Sequence, residues 1–210
     1  MTAVLVPLKP LADAKSRFRG VYDGDAHAAL VRAMLTDVLA AARAAHGGSL
    51  LLVTSDQAYD GIAARFDVAR LDDRGHDYNS AVAAALRSHA VRDAGAALIL
   101  PADLPRATPE DVARVIEALR TAEVVLVPAH DGGTGALGLR PPGAIAPAFG
   151  PGSAAAHRNA ARAASSRLDE LDCPSLAFDV DTPADLDRDP ASLGPATREF
   201  LACHALAGRR

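Results

Sequence analysis

The chain has 210 residues, is 50% hydrophobic and carries a formal net charge of −4 from 26 acidic and 22 basic side chains. That length supports one domain around a single core, which we expect to span residues 1–210. The acidic balance excludes a broad basic surface and argues against nucleic acid as the main partner. No apolar run approaches the roughly 20 residues that span a bilayer, so we expect a soluble, cytoplasmic protein without a membrane partner.

Strand and helix signals alternate along the whole chain. Predicted strands cover residues 3–7, 50–54, 66–71, 96–100, 123–127, 136–140 and 176–180, and predicted helices cover residues 25–45 and 79–90, a segment that starts at 109, and residues 153–164. Such alternation indicates crossover connections and parallel strands. We therefore expect an α/β fold of three layers, with a mostly parallel sheet and helices on both of its faces.

The loop after the first predicted strand carries the only two lysines of the chain. Pro7 ends that strand, and Lys9, Lys15 and Arg17 follow it. Ligands of parallel sheets bind beyond the carboxyl ends of strands, where ammonium and N–H groups neutralise phosphate charge. These residues predict a triphosphate site, although the glycines of a Walker loop are missing. A solvated basic loop and a chance clustering of lysines are the alternatives.

Three aspartates follow two other predicted strands. Asp103 lies between Pro101 and Pro105, and a carboxylate held there suits Mg²⁺, which proteins bind through one or two carboxylates and phosphate oxygens. Asp179 and Asp181 are two residues apart, so a strand would place them on one face. There they repel each other unless a cation or a basic cluster lies between them. A turn residue at 103 and a helix cap at 181 are the alternatives.

Two glycine-containing segments predict a second anion site. Thr134 lies in the turn 131–135, whose glycines let the backbone approach a ligand closely. Gly150 precedes Ser153, which opens a predicted helix and offers N–H groups, a hydroxyl and the positive end of a helix dipole. His157 follows one helical turn later. A tight hairpin turn, an ordinary serine cap and a structural histidine are the alternatives.

Two further polar residues are candidates to face the base of a nucleotide. Ser55 directly follows the second predicted strand, and Asn79 opens a predicted helix. Contacts that read a base in such folds come mostly from backbone and loops, so these residues do not predict which base is bound.

These segments together resemble one family, the guanylyltransferases of deazaflavin coenzyme biosynthesis, known as 2-phospho-L-lactate or phosphoenolpyruvate guanylyltransferases. The matching motifs stand in family order from residue 6 to about 186: Val6-Pro7-Leu8-Lys9, Ala14-Lys15-Ser16-Arg17, Pro101-Ala102-Asp103-Leu104-Pro105, Gly132-Gly133-Thr134, Phe149-Gly150-Pro151-Gly152-Ser153 with His157, and Asp179-Val180-Asp181-Thr182-Pro183. One position departs from the family pattern, because the glycine-rich turn usually continues with Asn where this chain has Gly135.

The resemblance implies a single-domain, Rossmann-like nucleotidyltransferase fold whose mostly parallel sheet contains an antiparallel strand. It also implies transfer of GMP from GTP to phosphoenolpyruvate or 2-phospho-L-lactate with release of pyrophosphate, while some relatives use 3-phosphoglycerate. The catalytic residues would be Lys15 and Asp103, and Mg²⁺ would be held by Asp103, Asp179 and Asp181. The expected nucleotide site consists of Pro7, Lys9, Lys15, Arg17, Ser55 and Asn79, and the expected acceptor site of Thr134, Gly150 and Ser153.

Other functions and partners stay open at this point. A cytidylyl- or molybdopterin-type nucleotidyltransferase is one rival, although those enzymes more often have a glycine-rich loop after the first strand. A nucleotide-binding module without catalysis is another, and the retention of three carboxylates and two lysines argues against it. A homodimer, and direct handover of a labile product to the next enzyme of the pathway, are further hypotheses.

Overall fold

The computed structural model describes residues 1–18, 20–73 and 77–205. The strands are β1 (Thr2–Pro7), β2 (Leu50–Val53), β3 (Ala69–Leu71), β4 (Ala96–Ile99), β5 (Val124–Pro128), β6 (Thr134–Leu139) and β7 (Leu168–Glu170). The helices are α1 (Gly24–Ala45), α2 (Asp60–Arg65), α3 (Tyr78–Leu86), α4 (His89–Ala94), α5 (Pro109–Ala118), α6 (Ser153–Ala163), α7 (Pro183–Asp187) and α8 (Pro195–Ala205). Among the described residues, no helix is both long and apolar enough to cross a membrane.

The described strands form one mixed sheet in the order β3-β2-β1-β4-β6-β5-β7. Strands β1, β2, β3 and β4 are parallel neighbours, and β5 and β7 form a parallel pair. Strand β6 is antiparallel to both β4 and β5. Because β6 runs the opposite way, its first residue, Thr134, lies at the edge where the parallel strands end.

Different helices bury the two faces of the sheet. Along β1, Val4 and Val6 pack with α1 and α5, whereas Ala3 and Leu5 pack with α3, α4 and α6. This alternation is the period of two that a strand imposes on its side chains. Burial on both faces also explains why the strands read as continuous apolar runs. The predicted three-layer α/β fold is confirmed.

The C-terminal segment forms a smaller apolar cluster against α1, outside the sheet. Leu30 and Met34 of α1 pack there with Val180, Leu193 and Phe200. The N-terminus of α8 is capped from α1, because the buried Asp37 carboxylate accepts the N–H groups of residues 196 and 197, each at 2.9 Å. A carboxylate at a helix N-terminus interacts favourably with the helix dipole and stabilises the helix. Helix α8 packs beside the segment that carries Asp179 and Asp181, because Phe200 and Val180 share one apolar cluster.

One predicted element was wrong, and two others have different bounds. Residues 176–180 are not a strand: a 3₁₀ turn at Pro174–Leu176 leads into irregular chain, and the edge of the sheet is taken by β7 instead. The predicted helix 79–90 is two helices, because Ser88 adopts an extended backbone and begins α4. Strand β3 is shorter than predicted, since Asp67 turns the chain with a φ of 52°. Helix α2 was missed altogether.

Candidate active site

A cleft of about 690 Å³ opens where the parallel strands end. Its walls come from the segment after β1, the segment after β4, the turn before β6 and the N-terminus of α6. The volume is in the range that small-molecule ligands occupy. Ligands of open α/β sheets bind at this edge, so the cleft lies where the sequence pattern predicted a site.

Three carboxylates meet on one side of the cleft, which we call the acidic side. Asp103 follows β4, and Asp179 and Asp181 come from the irregular chain before α7. The Val180 N–H donates to the Asp103 carbonyl at 2.9 Å, so one backbone hydrogen bond ties the two segments together. One carboxylate oxygen of each of the three aspartates lies within 4.8 Å of the others.

Lys15 lies between two of these carboxylates. Its Nζ donates to Asp103 Oδ2 at 2.7 Å and to Asp181 Oδ1 at 2.6 Å, and its side chain is only 11% exposed. Arg17 reaches Asp181 more loosely, at 3.5 Å from the exposed rim. Lys15 has a φ of 48°, a left-handed backbone that costs a residue with a side chain about 1 kcal/mol. His27 of α1 contacts the Lys15 carbonyl at 3.1 Å and helps to hold this conformation.

The charged groups on the acidic side shift one another's pKa values. Burial raises the pKa of Asp179 above its usual value, the neighbouring carboxylates of Asp103 and Asp181 raise it further, and Lys15 opposes them. Burial by itself lowers the pKa of Lys15, but Asp103 and Asp181 outweigh it, so the pKa of Lys15 is raised. Three carboxylates thus share one buried ammonium, and the side keeps an excess of negative charge.

This donor set fits a hard divalent cation. All three candidate ligands are carboxylate oxygens that are neither fully buried nor fully exposed, and Mg²⁺ and Mn²⁺ prefer such ligands. The ammonium of Lys15, held between two of the carboxylates, shows that the group attracts positive charge. An oxygen-only set without His or Cys argues against zinc.

A second part of the cleft wall, which we call the hydroxyl side, contains Thr134 and Ser153 together with His157, which contacts Thr134. The Thr134 hydroxyl lies 2.9 Å from His157 Nδ1 and 2.9 Å from the Ser153 hydroxyl. Ser153 and His157 are 1% and 0% exposed, and Thr134 is 8% exposed. Burial lowers the pKa of His157 to about 4, so the ring is neutral. This side therefore holds polar groups without formal charge.

The N-terminus of α6 differs from the sequence-based expectation. The N–H of Ser153 donates to the Gly150 carbonyl at 3.0 Å, and the N–H of Ala154 donates to the Gly132 carbonyl at 3.2 Å. These two N–H groups were predicted to be free for an anion, but both already have a hydrogen-bond acceptor. Ser153 lines the cleft, and binding of an anion by its hydroxyl stays a prediction.

Two glycines shape this wall for backbone reasons. A Cβ on Gly135 would lie 1.8 Å from the Leu176 carbonyl oxygen, so no side chain fits where the family pattern usually has Asn. Gly150 has a φ of 137°, a conformation that is open essentially only to glycine. The wall is thus formed by closely approaching backbone, with Thr134 and Ser153 as its polar side chains.

Only some of the residues expected to bind the nucleotide line the cleft. Pro7, Lys9, Lys15 and Arg17 line the cleft, whereas Ser55 and Asn79 are not among the described residues that line it. The Asn79 amide donates to the Phe149 carbonyl at 2.9 Å and accepts the Phe149 N–H at 2.7 Å. Asn79 thus fixes the loop before α6.

Sequence reasoning missed Tyr78, the neighbour of Asn79. Tyr78 lines the cleft, and its buried hydroxyl has no hydrogen-bond partner among the described residues. Its pKa is raised by burial and by the charge of Asp103. The scarcity of aromatics, 4% of the chain, was the one signal that could have singled it out.

Solved structures define the class of fold. A Desulfovibrio desulfuricans protein assigned as a nucleotide-diphospho-sugar transferase matches with a TM-score of 0.79 at 18% identity, over 98% of this chain and 95% of that chain. CMP:2-keto-3-deoxy-manno-octonic acid synthetase, solved with CTP, matches with a TM-score of 0.59 at 13% identity, over 97% and 99% of the two chains. The fold is that of the nucleotidyltransferases, as predicted.

Sequence comparison identifies the family within that class. Residues 2–191 match the family described as "Guanylyl transferase CofC like", and the chain belongs to that family. A phosphoenolpyruvate guanylyltransferase of Rubrobacter xylanophilus is 40% identical over 90% of this chain and 94% of its own. A 3-phospho-D-glycerate guanylyltransferase of Phenylobacterium zucineum is 34% identical over 88% of each chain.

Proposed function

We propose that this protein transfers GMP from GTP to a small phosphorylated acid, with phosphoenolpyruvate as the first candidate, and releases pyrophosphate. One structural observation carries the proposal: three carboxylates, Lys15 and a neutral pair of hydroxyls line a single cleft. The names of the relatives supply the nucleotide and the class of acceptor.

The proposed reaction joins two phosphates. An oxygen of the acceptor's phosphate forms a bond to the α-phosphorus of GTP while the bond from that phosphorus to the β-bridging oxygen breaks, and the electron pair leaves with pyrophosphate. A phosphate monoester has a second pKa near 6 and is largely ionised at neutral pH. The attacking oxygen therefore needs no strong general base, and repulsion between two anions is the main obstacle.

The acidic side would hold the metal and the triphosphate. We assign Asp103, Asp179 and Asp181 as ligands of Mg²⁺, which would polarise phosphate oxygens and offset their charge when bound. Lys15 lies in contact with two of these aspartates, so its ammonium would be close to any phosphate attached to the same cation. We assign Lys15, with Lys9 and Arg17, to the charge that develops on the leaving pyrophosphate.

The hydroxyl side would hold the acceptor. Thr134, Gly150 and Ser153 line the same cleft as the carboxylates, and neutral donors can bind a phosphate or a carboxylate without adding a cation. Two reactants bound in one cleft are positioned for reaction with each other, which is the main contribution that this fold can make to phosphoryl-type transfer.

The wider role follows from the same proposal. We propose that the product feeds deazaflavin coenzyme biosynthesis in the cytoplasm, where GTP and phosphoenolpyruvate are available. Its new phosphoanhydride is labile, which favours handover to the next enzyme; free product that accumulates stably without that enzyme would argue against handover. Light scattering of the purified protein tests the proposed homodimer.

A pyrophosphate-release screen tests the proposal. Four nucleoside triphosphates are paired with phosphoenolpyruvate, 2-phospho-L-lactate and 3-phosphoglycerate in the presence of Mg²⁺. We expect release with GTP and phosphoenolpyruvate, and a product with the mass of the mixed anhydride. The control variant Asp25→Asn, at an exposed position of α1 outside the cleft, should behave as wild type. Absence of release with every pair, in Mg²⁺ and in Mn²⁺, would refute the proposal.

A further inference from the structure

The hydroxyl side contains a hydrogen-bond chain that starts at a backbone group outside the cleft. The N–H of Ala148 donates to His157 Nε2 at 2.9 Å, and His157 Nδ1 lies 2.9 Å from the Thr134 hydroxyl. The Ser153 hydroxyl, also 2.9 Å away, donates to the same Thr134 oxygen. Four groups are thus connected, and the last two of them, Thr134 and Ser153, line the cleft.

The first bond decides which ring nitrogen of His157 carries hydrogen. A backbone N–H can only donate, so Nε2 must be the unprotonated nitrogen of the ring. A neutral imidazole carries one hydrogen, which is therefore on Nδ1. The alternative, a ring protonated on both nitrogens, would lose its bond to Ala148 and would place a charge in a site that is 0% exposed.

The tautomer in turn decides the direction of the Thr134 hydroxyl. Nδ1–H donates to the Thr134 oxygen, and Ser153 donates to the same oxygen, so both lone pairs of that oxygen are used. The Thr134 hydrogen then has no acceptor among its described partners. If Thr134 donated to Ser153 instead, the Ser153 hydrogen would be the one left over. Either way the pair retains one donor, and both residues line the cleft.

We propose that His157 is a positioning residue that makes the Thr134–Ser153 pair an obligate hydrogen-bond donor to an anionic oxygen of the acceptor acid. This inference rests on the proposed function, because it concerns the acceptor side of the same cleft. A hydroxyl that is free to rotate presents either a hydrogen or a lone pair, and the lone pair repels an anion. His157 removes that choice before the acceptor binds, which is preorganisation of the kind that strengthens recognition.

Two substitutions separate this role from simple support of the loop. The amide nitrogen of Asn occupies about the place of Nδ1, so His157→Asn keeps the donor to Thr134 and loses the acceptor for Ala148. The amide oxygen of Gln reaches about the place of Nε2, so His157→Gln keeps the acceptor for Ala148 and loses the donor. A positioning role predicts that Asn is tolerated better than Gln, and a loop-support role predicts the reverse.

The experiment measures KM for phosphoenolpyruvate and KM for GTP in both variants. We expect His157→Gln to raise KM for phosphoenolpyruvate about tenfold, the usual size of a lost hydrogen bond to a charged group, with KM for GTP within about twofold. His157→Asn should stay within about threefold of wild type for both. In a Thr134→Val background, His157→Gln should add no further increase. Equal effects of Asn and Gln, the reverse order, or additive effects with Thr134→Val overturn the proposal.

A ligand-free measurement keeps the inference separate from the proposed function. Long-range ¹H–¹⁵N spectra distinguish protonated from unprotonated ring nitrogens, and the His157 signals are assigned by their loss in His157→Asn. We expect protonated Nδ1 and unprotonated Nε2 at neutral pH. The opposite tautomer overturns the inference even in an active enzyme. Conversely, a wild-type protein that shows this tautomer but no turnover with any phospho-acid refutes the proposed function alone.

Discussion

The acidic side and the hydroxyl side of the cleft are built from opposite kinds of groups. On the acidic side, three partly exposed carboxylates share one ammonium. On the hydroxyl side, neutral groups that are more than nine-tenths buried hold each other by hydrogen bonds. Exposed charge can exchange its counter-ion with solvent, whereas buried neutral donors keep a fixed direction. One cleft thus offers two physical means of holding two anionic reactants.

The largest effect should follow from removing charge on the acidic side. Asp103→Asn keeps the shape of the side chain, removes a proposed metal ligand and breaks the 2.7 Å ion pair with Lys15. We expect turnover to fall about 100-fold or more, as it does when a key electrostatic group is lost. Turnover at saturating Mg²⁺ is the measurement, with Asp25→Asn as the control. Unchanged turnover would remove Asp103 from the metal site.

Two variants of Lys15 test whether the acidic side needs any positive charge or specifically an ammonium group. Lys15→Met should lower turnover about 100-fold, because it leaves the carboxylates and the leaving pyrophosphate without that cation. Lys15→Arg keeps the charge, but a planar fork fits poorly where the native side chain is 11% exposed. We expect it to remain about tenfold or more below wild type. Full activity of Lys15→Arg would show that charge alone suffices.

The hydroxyl side should lower the stability of the folded protein at acidic pH. Burial holds the pKa of His157 at about 4 in the folded protein, below about 6.5 for the unfolded chain. The unfolded state therefore binds more protons between these values, so stability falls as the pH drops from 6.5 towards 4. Between pH 7 and pH 4.5, denaturant unfolding should show wild type losing about 2 kcal/mol more than His157→Gln.

A matched variant controls for the general effects of acid. His89→Gln removes an exposed histidine that does not line the cleft. If His157→Gln and His89→Gln lose stability in parallel with wild type, then burial of His157 has no influence on acid stability.

The smallest expected effect is stabilisation by the cation itself. A ligand that binds only the folded state at ten times its Kd adds about 1.4 kcal/mol, which raises Tm by about 3 °C in a domain of this size. We expect Mg²⁺ to produce such a rise in wild type and in Asp25→Asn, but not in Asp181→Asn. An equal rise in Asp181→Asn would show that the cation binds elsewhere.

The local sequence pattern predicted most strands of the sheet and the edge of the sheet at which the charged residues lie. Strands buried on both faces gave continuous apolar runs, and the segments after the first and fourth strands were correctly placed at one edge. Lys9, Lys15 and Asp103 accordingly line the cleft. The prediction succeeded because parallel strands joined by helices must all end at the same edge.

Long-range contacts explain where prediction failed. The segment 176–180 was predicted as the last strand of the chain, yet Val180 is buried against α1 and the C-terminal helices. Asp179 and Asp181 still reach Asp103, through the hydrogen bond from the Val180 N–H. Asn79 was expected at the base, but both ends of its amide bind the backbone of Phe149, 70 residues away.

By itself, the sequence determined which residue types stand after each strand, and hence that carboxylates, lysines and hydroxyls lie at one edge of a three-layer sheet. Only the tertiary structure decided which of their hydrogen-bonding groups are already used. The N–H groups that open α6 are satisfied by Gly150 and Gly132, and the Ala148 N–H selects the tautomer of His157. The reason is physical: periodicity reports which face a side chain occupies, whereas the free donors of a site depend on partners brought together from distant parts of the chain.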